Sequence, residues 1–160
     1  MINSSAKLSA VLLIMGMVSL IAACADNDLQ KNKESQSDST ILKSKGVGPI
    51  KQVELGAIDP KRAALGQRVF QSKCSACHKM EERYVGPAVA GVTLRRTPEW
   101  ILNMILNPVE MTQKDPIAQE LLATYLTQMT YQNVSEDEAK AVLEYFRDYD
   151  SKMPASPQVP

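Results

Sequence analysis

Five consecutive residues, Cys74-Ser75-Ala76-Cys77-His78, carry the densest chemistry in this 160-residue chain. Two thiols three positions apart stand about one helical turn from each other. Both can therefore reach the two vinyl groups of one haem. His78 follows at once and can put an imidazole nitrogen on the iron. Cys-x-x-Cys-His is the attachment signature of a c-type haem. Other uses of such a pair fit less well. A thioredoxin-like redox pair needs a βαβ context, and the sequence has no convincing period-two alternation. Structural zinc needs four ligands, whereas this pair and its histidine supply three. A plain disulfide would make the adjoining histidine a coincidence.

His78 is the only histidine, which excludes bis-histidine haem and His-rich catalytic zinc sites. The distal position on iron then falls to methionine, to a weaker group or to nothing. Of eight methionines, Met1, Met15 and Met17 belong to the N-terminal segment and Met153 to the tail. Met80 is too close to His78 to reach the opposite haem face. Met104 falls four residues after Trp100 on a helical apolar stripe, a core position. Met111 and Met129 remain. A thioether is soft, prefers ferrous iron and raises the reduction potential relative to a second histidine. Six-coordinate iron leaves no open site, so both features favour one-electron transfer over catalysis. A peroxidase would lack a free histidine for acid–base work. The alternative from another class is a haem gas-binding or sensor protein with a vacant or displaceable sixth ligand.

The chain begins with a targeting signal. Lys7 is the one charge in residues 1–23, and the apolar stretch 8–23 falls short of the roughly 20 residues that span a bilayer. Residues 1–23 read as a signal peptide ending in Ile21-Ala22-Ala23-Cys24, which resembles a bacterial lipoprotein box. That resemblance implies a lipidated Cys24 and a membrane-tethered chain, exported to the periplasm or the outer face of the cytoplasmic membrane. Residues 24–58 are polar and charged, and read as a lipidated N-terminus followed by a disordered tether. Residues 151–160, with three prolines, read as a loose C-terminal tail.

The globular part is residues 59–150. Asp59-Pro60, Thr97-Pro98 and Asp115-Pro116 are helix starts, a capping residue followed by proline where the first N–H is not needed. Ser135 with Glu138 makes a capping box. The helices run to about Lys73, to Asn107-Pro108, through Leu121, Leu122 and Tyr125, and along Ala139, Val142, Leu143 and Phe146. Leu65, Val69 and Phe70 are expected on the inner face of the first. The fold class is therefore all-α, about four helices around one covalently attached haem. Aromatics are only 5% of the chain, so a porphyrin would supply the missing bulk.

Residues 59–149 resemble the class I c-type cytochromes, small exported electron carriers with a small cytochrome c fold. Gly66 and Phe70 precede Cys74 at the spacing of that family's first helix. The resemblance implies a close helix crossing at Gly66 against Val142 and Tyr145. It implies that Gly86-Pro87 is the turn whose proline carbonyl accepts a hydrogen bond from the iron-ligating histidine. It makes Met129, in a loop before the last helix, the axial ligand, although Thr130 stands where proline is usual; Met111 is the reserve. Trp100 would pack at the haem edge or bond a propionate, while its place on the helical apolar stripe equally suits a helix-core tryptophan. The haem's exposed edge would lie near Cys74.

The formal charge is zero, so nucleic acid is not an expected partner. The charge is unevenly spread. Residues 60–96 hold eight basic and two acidic residues, a net of +6, while 97–150 hold three basic and ten acidic, a net of −7. A basic half around the haem edge predicts steered docking to an acidic patch on a redox partner. The expected protein is a monomeric, lipid-tethered, monohaem carrier passing electrons between respiratory partners.

Overall fold

The computed structural model describes residues 43–154. The expected signal peptide, Cys24 and the first part of the expected tether lie outside the described residues, as does the chain after 154. Six helices follow one another in the order α1 Pro60–Lys73, α2 Val92–Arg95, α3 Pro98–Leu106, α4 Pro108–Lys114, α5 Pro116–Tyr125 and α6 Glu136–Ser151. Among the described residues there is no strand, and the fold is all-α.

The expected capping chemistry is in place at four helix starts. Asp59 accepts from the Lys61 and Arg62 N–H groups, Thr97 from Trp100, and Asp115 from Ala118. Ser135 and Glu138 form the reciprocal box. Two helices were not anticipated. Pro108, expected only as a stop for α3, also occupies the first turn of α4, because the position that ends one helix suits the start of the next. The four-residue α2 follows a left-handed Gly91 (φ 73°).

The core is built where α1 crosses α6. A Cβ on Gly66 would overlap the Ala141 carbonyl oxygen and crowd the Val142 N–H. The backbones thus meet at Ala141–Val142, one turn before Tyr145. Tyr145 meets Phe70 instead, at 5.8 Å between ring centroids, and Phe70 stands edge-on to Phe146 at 5.7 Å. The inner face of α1 consists of Ala63, Gly66, Val69 and Phe70. Leu65, expected there, is 43% exposed, because the crossing at Gly66 sets which way the helix faces.

The tether boundary expected at residue 58 also moves. Residues 43–58 lie along α3 and α4 as a hydrogen-bonded strap. Asn103, 1% exposed, holds three strap groups: its Oδ1 accepts from Ile50 N–H, and its Nδ2 donates to the Lys45 and Ile50 carbonyls, each at 2.9 Å. Thr97 Oγ1 donates to the Ser44 carbonyl, and Glu99 accepts from Val53 N–H. At the far end Glu144 accepts from Asp59 N–H. Ile50 is buried in the core. The polar composition of this segment conceals a backbone whose donors and acceptors are taken up by buried side chains.

Candidate haem-attachment site

The last turn of α1 delivers the attachment motif. The Cys74 and Ser75 N–H groups close onto the Phe70 carbonyl, and the Cys77 and His78 N–H groups turn back onto the Cys74 carbonyl. This continued winding brings the Cys77 and His78 backbone back over Cys74 within one turn. Both cysteines are free thiols, Cys74 half-buried and Cys77 exposed. Burial pushes the Cys74 thiol above its usual range, with Lys73 pulling the other way.

His78 Nδ1 lies 2.9 Å from the Pro87 carbonyl oxygen. A carbonyl only accepts, so Nδ1 carries the proton and Nε2 keeps its lone pair for a metal. The turn that brings Pro87 into place is held by a 2.8 Å bond from Gly86 N–H to the Cys77 carbonyl. Gly86 itself lies against the imidazole; a Cβ there would stand 2.6 Å from His78 Cε1. Its contact with the ring was not foreseen from the sequence.

The remaining predicted residues separate. Met111 is fully buried beneath the strap, its sulfur accepting from Val47 N–H at 2.9 Å. A Cβ on Gly46 would lie 2.6 Å from the same sulfur. The reserve ligand is thus occupied as a core residue. Trp100 is 4% exposed and donates its one N–H to Asp115 Oδ1 at 3.0 Å, which leaves no donor for a propionate. Met129 sits half-buried in the segment between α5 and α6. That segment is bracketed by two left-handed residues, Leu126 (φ 53°) and Asn133 (φ 52°). Lys73 Nζ clamps its end, donating to the Asn133 carbonyl and to Glu138, each at 2.9 Å. Thr112 Oγ1 meets Gln128 Oε1 at 3.0 Å near its start.

Among the described residues no cluster of three or more His, Cys, Asp or Glu side chains could bind a bare metal ion. Two thiols and an oriented imidazole fit a group that brings its own equatorial nitrogens, and the donor set matches a covalently bound haem.

Comparison with known proteins supports the same view. The family model described as Cytochrome c matches residues 63–149. A curated Synechocystis protein described as cytochrome c-553-like is 33% identical over 66 residues, covering 38% of this chain. The chain spans 63% of that relative's length. The solved cytochrome c from Rhodothermus marinus is 44% identical, with a TM-score of 0.65 over 66% of this chain and 92% of that one. The cytochrome c domain of a Pseudomonas putida protein is 26% identical, with a TM-score of 0.50 over 54% of this chain and 89% of that one.

Proposed function

This chain belongs to the cytochrome c family, and on that premise we propose that it works as a one-electron carrier in which His78 and Met129 would hold the haem iron. Members of the family carry one covalent c-type haem and are electron-transfer carriers rather than enzymes. The observation that carries the reading is the orientation of His78, with Nδ1 on Pro87 and the ring packed by Gly86.

Cys74 and Cys77 would hold the haem and His78 Nε2 would ligate its iron, which supplies the one-electron redox change. The chain's own part is orientation. The Pro87 carbonyl fixes the histidine tautomer and increases the donor strength of Nε2. The clamp from Lys73 onto Asn133 restrains the loop that presents Met129. A carrier needs its ligands to stay in place through both oxidation states, and these contacts supply that constancy. Met129 is favoured over Met111 because the Met111 sulfur already serves Val47.

An absorption spectrum in both redox states tests the reading. The methionine–iron band at long wavelength is expected in the wild type and lost in Met129→Ala. Its survival in that variant would remove Met129 as the ligand. The reduced wild-type protein should bind no carbon monoxide at equilibrium; tight binding would favour a gas sensor.

The partner is proposed to be a redox protein with an acidic docking patch. Of the eight bases in residues 60–96, only Arg62 and Lys73 lie within 4.0 Å of a carboxylate among the described residues. Most acids in 97–150 are matched within the molecule, including Glu99, Glu110, Glu136, Glu144 and Asp148. With the paired groups set aside, residues 60–96 keep six bases against two acids, so the positive half retains a positive field. Among the described residues no helix is long and apolar enough to cross a membrane. Tethering at an outer membrane face is assigned to lipid on Cys24. An intact mass lacking acyl groups on that residue would sink it.

A further inference from the structure

We propose that the strap of residues 43–58 is a spacing device that fixes where the tether leaves the domain, confining the protein to partners in its own membrane. The proposal rests on the lipid-anchor reading of Cys24.

The strap is held along most of its length. Its first bonded residue is Ser44, whose carbonyl accepts from Thr97 Oγ1 at 2.6 Å and whose hydroxyl donates to Asp115 at 3.0 Å. Asp115 is 3% exposed and also takes the Trp100 indole N–H. Gly46 lies against Met111 and Trp100, and Gly48 against Asn103, closer than any Cβ would allow. Lys45 pairs with Glu99 at 3.2 Å. Further on, Arg147 donates to the Gly56 carbonyl at 2.8 Å.

Two consequences follow. Only residues 25–42, 18 in number, separate Cys24 from the first strap residue, against 34 if the chain were free to Asp59. Fully extended, 18 residues span about 60 Å and 34 about 120 Å, so docking halves the greatest reach. The take-off point is also fixed, at the corner where α3 and α5 begin. Among the described residues none of the strap's side-chain-mediated bonds goes to residues 60–96. The anchor therefore pulls on α3 and the Asp115 corner and makes no such bond to the Cys74–Pro87 region, where a partner would dock. A halved reach raises the effective concentration of partners held in the same bilayer and removes distant ones.

Two insertions of equal length separate this from a passive tether. The full-length, haem-loaded, lipidated chain is reconstituted in phosphatidylethanolamine/phosphatidylglycerol vesicles bearing dansyl headgroups, and haem quenching of the dansyl is read. A Gly/Ser segment of about 16 residues between Leu42 and Lys43 should lower quenching about twofold or more, since it nearly doubles the span. The same segment between Gly56 and Ala57, where the glycine faces open space, should leave quenching near wild type because the take-off point is unchanged. Asn103→Leu, which removes three strap bonds, should make the second insertion behave like the first. Hydrogen exchange at the Ile50 amide should be slow in the wild type and fast in that variant. Equal loss of quenching from both insertions would overturn the proposal. So would failure of the wild type to float with the vesicles, and in that case slow exchange at Ile50 identifies the anchor, not the strap, as the part that failed.

Discussion

Gly86 carries no functional group, yet it governs the one imidazole in the chain. With a Cβ at 2.6 Å from His78 Cε1, Gly86→Ala forces the ring to move and lengthens the bond from Nδ1 to Pro87. A histidine with a weaker Nδ1 bond is a poorer donor, which favours ferrous iron. The reduction potential should rise by on the order of tens of millivolts in a redox titration; an unchanged potential would show that the ring is held by other contacts. Legibility at this scale followed covalent spacing. Cys74, Cys77 and His78 are readable because they are adjacent in sequence, and Pro87 because a family resemblance supplied its role. The contact of Gly86 with the ring is a meeting of atoms across a turn, which no local pattern encodes. The same holds for Met111, whose role is set by Val47, distant in sequence and adjacent in the fold.

Helix starts were legible because capping is local: Asp59, Thr97, Asp115 and Ser135 each serve N–H groups two or three residues on. The face of α1 and the strap were not, because each depends on a partner far along the chain. Gly66 decides the first. Adding a methyl group there drives it into the Ala141 carbonyl, so Gly66→Ala should cost about 1–3 kcal/mol of stability in denaturant titration, more than its gain in helix propensity returns. Glu138 decides how the last helix answers to acid. The Ser135 N–H first, and Lys73 next, hold its carboxyl below the usual range. A depressed folded pKa contributes stability that is complete above the unfolded value, about 4.3, and is lost as pH falls through the folded one. Glu138→Gln should therefore flatten that acid limb while lowering stability at neutral pH. A limb of unchanged slope would assign acid sensitivity to other carboxylates.

Across the whole molecule the net charge of zero hides an asymmetry that pairing reduces but does not remove. The acidic half is largely matched internally, whereas Lys61, Arg68, Lys79, Arg83, Arg95 and Arg96 have no carboxylate within 4.0 Å among the described residues. Lys79 lies one residue after the proposed iron ligand, over the Tyr84 ring at 4.9 Å, and Arg83 stacks on Tyr125 at 4.4 Å. Both are thereby held beside the attachment site with their charges intact. Such a field guides an acidic partner over distances comparable to the Debye length, about 10 Å at 0.1 M salt and about 3 Å at 1 M. The bimolecular rate of electron transfer to an acidic redox protein should therefore fall steeply between those concentrations, by about tenfold or more. Lys79→Glu should lower the low-salt rate and flatten the salt dependence. Lys114→Glu is the control, since Lys114 is already paired with Glu110 and lies outside the basic half. A rate indifferent to salt, or equal losses from the two reversals, would mean that docking is driven by apolar contact and that the asymmetry has no part in partner choice.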